Sequence, residues 1–482
     1  MGSFFRIIAI LTVALQSIAA PKNKVRIYPS PKGETLSSQY RVTANGQEVP
    51  VYSAKVGARD KVRRGKAMDD KQHSGAYFDL ASFASFDLES GSAVIRVTVP
   101  ETVTAARILP SSYGIKAGTT GKSVTFTVSR PGNFTIEING EEISSLHIFV
   151  NPPETNIPAQ GDPNVIWFGP GLHEVSELVV HDNQTVYLAG GAIVRAVISP
   201  GEKFTVDKET GLKHYSPTFF LNGNNITIRG RGIIDASGCT IHARNMIMVT
   251  GSNITLEGVI LRDASLWTIP IRRSGNVRVN NLKLLGYRAN SDGIDICNSR
   301  NVVVENCFIR TLDDLVVIKS DKGQGQVKDI LVTKNVLWNE FAHALSIGAE
   351  IREDVENVVF RDNDIIHDKG REWSLRVYHC DAARISNVRF EDIRIEESNR
   401  LISVWIGKAV WSRDADRGNV ENVLFKNISV TGGDTAAINL SGFDETHGVN
   451  DVVFDNVTLD GKGIPAERVK ANAFVKNVRV LP

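Results

Sequence analysis

The sequence has little that would indicate a nucleic-acid-binding, membrane or disulfide-stabilised protein. Its 55 basic and 54 acidic residues give a formal net charge of +1, so no basic field would attract nucleic acid. After the first 20 residues, no apolar run approaches the ~20 residues that span a bilayer. Four cysteines are too few for a disulfide scaffold in 482 residues, and their spacing does not fit a zinc site. We therefore expect buried thiols, and neither nucleic acid nor membrane as a partner.

The first 20 residues carry a targeting signature. Arg6 precedes an apolar run from Ile7 to Leu15, and small residues follow up to Ala20. This order is typical of a signal peptide and predicts a secreted protein. An uncleaved membrane anchor is the alternative, but the apolar run is shorter than the ~20 residues that such an anchor needs.

The length and the change of pattern along the chain predict two domains. A chain of 482 residues exceeds one ordinary core. Residues 21–150 contain short alternating segments, such as 92–99 and 123–128, with turn residues between them. This pattern is typical of an antiparallel β-sandwich with a structural, accessory or sugar-binding role. Residues 151–160 are rich in proline and form the predicted linker, so that residues 161–482 make up the second domain.

The second domain contains a repeated motif in which Asn or Asp precedes a short β-branched segment. The repeats begin at Asn225, Asn253, Asn276, Asn301, Asp329, Asn357, Asn387, Asn422 and Asp451. Self-similarity at this period without helical periodicity predicts a solenoid of strands, a right-handed parallel β-helix. Its coils stack ~4.8 Å apart, so equivalent residues form ladders along the axis. We expect the repeated Asn side chains to bond to one another between coils.

Three acidic residues fall at equivalent points of this repeat. Asp292 precedes the pair Asp313 and Asp314 by about one coil, which would place the carboxylates on one wall. Like charges at this distance push their pKa values apart, as acid–base chemistry requires. His343 and Arg376 lie on the next coils. Each residue alone fits a turn former or a surface residue, but together they are what glycosidic cleavage needs.

The segments that carry these residues resemble glycoside hydrolase family 28, the polygalacturonases and their relatives, and most of all its bacterial-type branch. The similar segments are Asn-Ser-Asp-Gly-Ile-Asp at 290–295, Asp-Asp-Leu-Val-Val-Ile-Lys-Ser at 313–320 and Leu-Ser-Ile-Gly-Ala-Glu at 345–350. Residues 232–235 resemble an upstream element of that family. The resemblance extends over about residues 160–460.

The resemblance implies a role for each of the catalytic candidates. Asp313 matches the general acid, and Asp292 and Asp314 match the pair that holds and activates water. His343 matches the histidine that supports the acid and contacts substrate. The family inverts the anomeric configuration. Carboxyls one coil apart should lie ~5 Å from each other, closer than the ~6.5–9.5 Å usual for inverting enzymes, so inversion rests on the resemblance.

The candidate substrate contacts are Asn290, Arg376, Tyr378 and Lys319. Arg376 matches the arginine of the Arg-Ile-Lys element that binds sugar beyond the scissile bond. Tyr378 stands where that element has lysine, which pairs with the galacturonate carboxylate. A phenol cannot replace this charge, and it suggests stacking on, or a hydrogen bond to, a neutral sugar. Lys319 is one candidate for a compensating cation.

The sequence thus predicts a secreted, monomeric enzyme that hydrolyses α-glycosidic bonds of a pectin-type polysaccharide and needs no metal or organic cofactor. A dextranase-like enzyme of glycoside hydrolase family 49, acting on neutral α-glucans, is the first alternative. A Ca²⁺-dependent polysaccharide lyase, in which the acidic cluster would hold the ion, is the second. A non-catalytic sugar-binding solenoid is the third.

Overall fold

The computed structural model describes residues 23–58, 77–208, 211–368, 370, 372–432 and 437–482. The predicted signal peptide, residues 1–20, lies outside the described residues. The described part of the chain consists mainly of β-strands, with two short 3-10 turns at Ser111–Tyr113 and Ala466–Arg468. Within it, no helix has the length and apolar character needed to cross a membrane.

The N-terminal region is a sandwich of a six-stranded and a five-stranded sheet. Its strands β1 to β11 are Lys24–Ile27, Arg41–Ala44, Gln47–Val49, Val51–Val56, Asp79–Ser90, Ala93–Thr98, Ala106–Leu109, Gly118–Thr120, Ser123–Val128, Gly132–Ile138 and Glu141–Asn151. Alternating Val, Ile and Phe side chains from both sheets fill the core between them. One pair, β5 with β11, is parallel, whereas the sequence predicts antiparallel pairing throughout. A long connection joins these two strands, and only a tight hairpin would require them to be antiparallel.

The C-terminal region is one sheet of 31 strands wound into a right-handed parallel β-helix, which confirms the predicted fold class. The first of its strands, β12 to β16, are Val165–Phe168, Gly171–Val175, Leu178–Val180, Thr185–Leu188 and Ala192–Ala196. A separate antiparallel hairpin follows, with strands β17 and β18 at Phe204–Val206 and Lys213–Tyr215.

The β-helix continues to the C-terminal end of the chain. Strands β19 to β29 are Phe219–Asn224, Thr227–Gly230, Ile233–Asp235, Ile247–Glu257, Ile260–Arg262, Ile269–Arg272, Gly275–Asn280, Lys283–Leu285, Ile294–Cys297, Arg300–Glu305 and Phe308–Thr311. Strands β30 to β37 are Val316–Ser320, Val327–Thr333, Val336–Asn339, Leu345–Ile351, Val355–Arg361, Asp364–Asp368, Leu375–His379 and Arg384–Ile395. Strands β38 to β44 are Arg400–Ile406, Asn419–Val430, Ala437–Ser441, Val449–Leu459, Lys462–Gly463, Val469–Ala471 and Val475–Leu481.

Stacked apolar side chains fill the interior of the coil. Phe360, Phe390, Phe425 and Phe454 form one such stack, with successive ring centroids 4.8, 5.0 and 5.2 Å apart. Each fully buried ring contributes ~1.5–3 kcal/mol by leaving water. All four cysteines are buried and free, as the sequence predicts.

The repeated Asn residues form the predicted ladder on the outside of the coil. The Asn253 Nδ2 donates to Asn225 Oδ1 at 3.1 Å, and Asn276 Nδ2 donates to Asn253 Oδ1 at 3.0 Å. Their backbones are left-handed, with φ of 58° at Asn253 and 55° at Asn276. Asn adopts this conformation more readily than most residues. The repeated Asn therefore fixes a turn and joins neighbouring coils.

Each central coil of the β-helix has three strands, as in β27, β28 and β29, and the sandwich packs against the third of them. Buried Arg310 in β29 contacts His147 of the sandwich, with 3.1 Å between the two nitrogens. Buried Lys283 in β26 bonds to Asn151, the last residue of β11. Buried His367 in β35 lies 2.5 Å from Glu137 of the sandwich. The sandwich thus contacts β26, β29 and β35, the third strands of their coils. The loops of the candidate site follow such strands.

Candidate active site

The candidate site lies where each coil passes from its third strand to the first strand of the next coil. In the register of the sheet, Ile294 pairs with Val316, and Val316 pairs with Leu345. One polar residue stands two positions before each of these three strand residues. These residues are Asp292, Asp314 and His343. They are therefore stacked on three successive coils, as the spacing in the sequence predicts.

Gly293 allows the coils to approach each other beside Asp292. A Cβ atom at this position would lie 2.4 Å from the Leu315 carbonyl oxygen of the next coil. The Gly293 amide donates to the Asp314 carbonyl oxygen at 2.8 Å. Any larger residue would push the coils apart at the point where the carboxylates must meet.

Asp314 is held as an ionised carboxylate. His343 Nδ1 donates to Asp314 Oδ1. Burial raises the pKa of Asp314, but the contact with His343 and the nearby charge of Arg376 hold this pKa well below its ordinary value. The other imidazole nitrogen, Nε2, lies 3.9 Å from an oxygen of Glu372.

The pKa of Asp313 is shifted in the opposite direction. Burial, and then the charge of the adjacent Asp314, raise the pKa of Asp313 to about 6. The backbone amides of Asn290 and Asp314 donate to its two oxygens at 3.2 and 3.0 Å. At mildly acidic pH the neighbouring carboxyls therefore differ: Asp313 carries a proton and Asp314 does not.

Asp292 shares an ammonium group with a second buried carboxylate. Lys319 Nζ donates to Asp292 Oδ2 at 2.9 Å and to Asp295 Oδ1 at 2.8 Å. The same nitrogen lies 3.8 Å from the centre of the Trp267 ring. Burial and the neighbouring carboxylates raise the pKa of Asp292 well above its ordinary value, although Lys319 opposes this shift. The other oxygen, Oδ1, has no hydrogen-bond donor among the described residues.

The three acidic residues could also act as ligands. Asp292, Asp313 and Asp314 each offer one carboxylate oxygen, and these oxygens lie within 4.8 Å of one another. The ammonium group of Lys319 already lies 2.9 Å from Asp292. A divalent cation in the cluster would be repelled by this charge. The geometry thus favours acid–base chemistry over a metal site.

One cleft of about 750 Å³ brings all eight predicted site residues together. Its lining includes Asn290, Asp292, Asp313, Asp314, Lys319, His343, Arg376 and Tyr378. Its lining also includes residues that the sequence analysis does not assign to the site, among them Trp267, Glu350 and Glu372. Glu372 follows His343 by 29 residues, about one coil, so its spacing could have indicated it.

Residues 213–480 match the sequence model of Glycosyl hydrolases family 28. The chain belongs to this family. This match confirms the resemblance seen in the sequence and the predicted class of enzyme, a glycoside hydrolase.

Individual relatives are distant. A polygalacturonase of Juniperus ashei is 25% identical over 214 residues, which are 42% of this chain and 40% of that protein. The match thus spans well under half of the relative's length. An exopolygalacturonase structure from Thermotoga maritima has a TM-score of 0.50 and 20% identity over 65% of this chain and 84% of that one. Dex49A from Penicillium minioluteum has a TM-score of 0.62 and 13% identity, covering 94% of this chain and 96% of that one. At these identities the structures show a shared fold, which for Dex49A extends over both domains.

Tyr378 is packed against two neighbouring side chains. The Arg376 guanidinium carbon lies 4.5 Å from the Tyr378 ring centre, and the Trp405 ring is stacked on Tyr378 at 4.4 Å with an angle of 19°. Arg376 donates to Ser346 on the preceding coil at 3.2 Å, whereas Trp405 belongs to the following coil. Arg376 and Trp405 therefore both pack on the Tyr378 ring, which leaves less of the ring for a sugar to stack on.

Lys319 also has different surroundings from those expected of a substrate contact. It lines the cleft, but its ammonium group bonds to Asp292 and Asp295. The pKa of Lys319 is raised well above its ordinary value because these carboxylates outweigh the effect of burial. Asp295, which the sequence analysis does not assign to the site, is the second acid of the Asn-Ser-Asp-Gly-Ile-Asp motif.

Proposed function

We propose that this protein is a secreted glycoside hydrolase that cleaves α-glycosidic bonds of a pectin-type polysaccharide with inversion. The observation that carries this proposal is the pair Asp313 and Asp314, which face one cleft with pKa values shifted in opposite directions. A glycosidic bond needs one carboxylic acid and one carboxylate at the same pH.

We propose one step of the reaction for each carboxyl. Asp313 donates its proton to the glycosidic oxygen as that bond breaks. Asp314 is ionised and held by His343, so it accepts a proton from the attacking water. The oxygen of Asp292 that lacks a donor holds the same water. Arg376 lines the cleft and binds the sugar beside the scissile bond.

Membership of the family supports a pectin-type substrate, since relatives matched over part of their length are named polygalacturonases. The signal-peptide pattern at the N-terminus supports secretion. We propose that the protein acts as a monomer without a metal ion.

Inversion is supported by the family resemblance and not by the spacing of the acids. The three oxygens lie within 4.8 Å of one another, closer than the ~6.5–9.5 Å usual for inverting enzymes. Proton NMR of the first product released from an α-linked oligosaccharide decides this point. A β-anomer shows inversion, and an α-anomer shows that a carboxylate acts as the nucleophile.

A neutral α-glucan is the second candidate substrate. The observation that favours it is Tyr378, which stands where the family resemblance places a cationic lysine. A lyase is disfavoured because Lys319 occupies the place beside Asp292 where Ca²⁺ would have to bind.

The decisive assay measures release of reducing ends from polygalacturonate and from dextran at mildly acidic pH with chelator. Wild type is compared with Asp313→Asn and with Asp416→Asn, which changes an exposed aspartate outside the cleft. Release from polygalacturonate that only Asp313→Asn abolishes supports the pectin proposal. Release from dextran alone supports the second candidate. A parallel reaction without chelator tests the lyase: ultraviolet-absorbing products that form there and not with chelator would show one.

A further inference from the structure

A second cavity of about 660 Å³ continues the active-site cleft towards the C-terminal coils. The two cavities share Glu372, Arg376 and Tyr378. The second cavity also has Trp405 and Asn439 in its lining, and we call it the C-terminal trough. A polysaccharide cut beside Arg376 would have its next sugar units in this trough.

The trough is built from two ladders of side chains on the first strand of successive coils. One ladder contains the register-paired residues Arg376, Ser403, Asn439 and Lys470. The other contains Tyr378, Trp405 and Ser441. Successive rungs are ~4.8 Å apart, so Lys470 lies three rungs, ~14 Å, from Arg376. The rungs near the scissile bond therefore offer an aromatic ring, an amide and hydroxyl groups.

The charges near the start of the trough are unfavourable for a sugar carboxylate. The Arg376 guanidinium interacts with the carboxylates of Asp314, Glu372 and Glu350. Tyr378 is a neutral phenol at mildly acidic pH, and burial raises its pKa further above the ordinary value of 10.0. The nearby ammonium group, that of Lys319, is bonded to two carboxylates. Three carboxylates thus lie near Arg376, whereas Lys470, the other cation among the described residues that line the trough, lies ~14 Å away.

We propose that the C-terminal trough binds a pyranose without a free carboxylate, either a neutral sugar or an esterified uronate. This inference rests on the proposed function and specifies its substrate beyond the scissile bond. Trp405 supplies the apolar surface on which a sugar ring packs. Asn439, Ser403 and Ser441 supply donors and acceptors for sugar hydroxyls. Tyr378 excludes the free acid, because it provides no cation where a galacturonate carboxylate would be desolvated.

The test uses two polymers of the same sugar and linkage, polygalacturonate and its fully methyl-esterified form, in which each charged carboxylate is replaced by a neutral methyl ester. The Asp313→Asn variant is run in affinity gels that contain one polymer or the other, so that binding is measured without cleavage. We expect stronger retardation by the ester. Adding Tyr378→Lys should shift the ratio of the two dissociation constants towards the free acid by at least about tenfold, as one charge-assisted hydrogen bond would do. Adding Tyr378→Phe, which has no charge, should leave the order unchanged.

A gel that contains dextran separates this inference from the proposed function. Binding to dextran and to neither galacturonan polymer supports an uncharged trough and refutes the pectin-type substrate. Stronger binding to free polygalacturonate than to its ester, with no gain from Tyr378→Lys, overturns the inference and leaves the pectin-type substrate in place. Trp405→Ala should weaken the binding of the preferred polymer about tenfold, as loss of one stacking contact would. Circular dichroism of each variant checks that the fold is retained.

Discussion

Replacement of Lys319 by methionine should destabilise the protein more than any change at a surface charge. The methionine side chain has a similar length and keeps the packing against Trp267, but it removes the ammonium group that lies 2.9 and 2.8 Å from Asp292 and Asp295. Two buried carboxylates then lose their counter-charge. Loss of one partner from a buried ion pair costs about 3–5 kcal/mol, and we expect the free energy of unfolding to fall by this amount at pH 8.

The loss of stability in Lys319→Met should depend on pH, because the two carboxylates that lose their counter-charge can take up protons. Without the cation, burial raises the pKa values of Asp292 and Asp295 in the folded state further above their ordinary range. The folded state then binds protons that the unfolded state has released, so stability falls as pH rises above the ordinary carboxyl pKa of about 4. The cost of Lys319→Met should therefore be small near pH 4 and full at pH 8.

Urea denaturation followed by tryptophan fluorescence at pH 4, 6 and 8 measures these values. The matched control is Lys322→Met, because 72% of the Lys322 side chain is exposed, and we expect it to change stability by less than about 0.5 kcal/mol. The double variant Lys319→Met/Asp295→Asn should recover part of the loss, since it removes one of the uncompensated carboxylates. A loss below about 1 kcal/mol at pH 8, or a loss equal at all three pH values, would refute the argument.

Three further predictions concern the acid, the domain contact and the ladder. The kcat/KM for hydrolysis should fall about tenfold per pH unit above pH 6, because the Asp313 acid, with a pKa of about 6, loses its proton there; a flat pH–rate profile to pH 8 would contradict this role. Burial lowers the pKa of His367, but the carboxylates of Glu137 and Glu397 outweigh it and raise this pKa above 6.5. The stability that charged His367 adds is therefore present at pH 5.5 and is lost as pH rises through the raised pKa. Thermal melts should therefore show a larger cost of His367→Gln at pH 5.5 than at pH 9, and an equal cost would count against a charged His367. Asn253→Ala should lower the free energy of unfolding in urea by about 1–2 kcal/mol through the lost ladder bond and the left-handed backbone, whereas no change would show that the ladder adds no stability.

The fold could be predicted from the sequence because a coil of the β-helix is a local unit that repeats. Each Asn of the repeated motif, such as Asn225 or Asn253, marks one turn, and the distance between successive Asn residues gives the length of a coil. The same reasoning placed Asp292 over Asp314, since a separation near one coil implies stacking. Pairing within the sandwich was less predictable, because the alternation in β5 and β11 is the same for parallel and antiparallel neighbours.

The partners of individual site residues could not be predicted in this way. Lys319 was a candidate substrate contact, yet the coil carries its ammonium group back to Asp292 and Asp295 on the preceding coil. Stacking of sugar on Tyr378 was one expectation, but Trp405 from the next coil and Arg376 from the same strand already pack on its ring. The contacts of Lys319 and the stacking of Trp405 on Tyr378 join residues about one coil apart, whereas Arg376 and Tyr378 lie on one strand. Each contact depends on the direction in which a side chain points.

The sequence by itself determined the β-helix, the family and the acids that face the cleft, because short motifs that recur at a nearly constant spacing identify all three. Tertiary structure alone decided how those acids differ in charge. Burial and the contact with His343 separate the pKa values of Asp313 and Asp314, two residues that are chemically identical and adjacent in the chain. A carboxyl group takes its proton affinity from its surroundings, and those surroundings exist only after the coils have stacked.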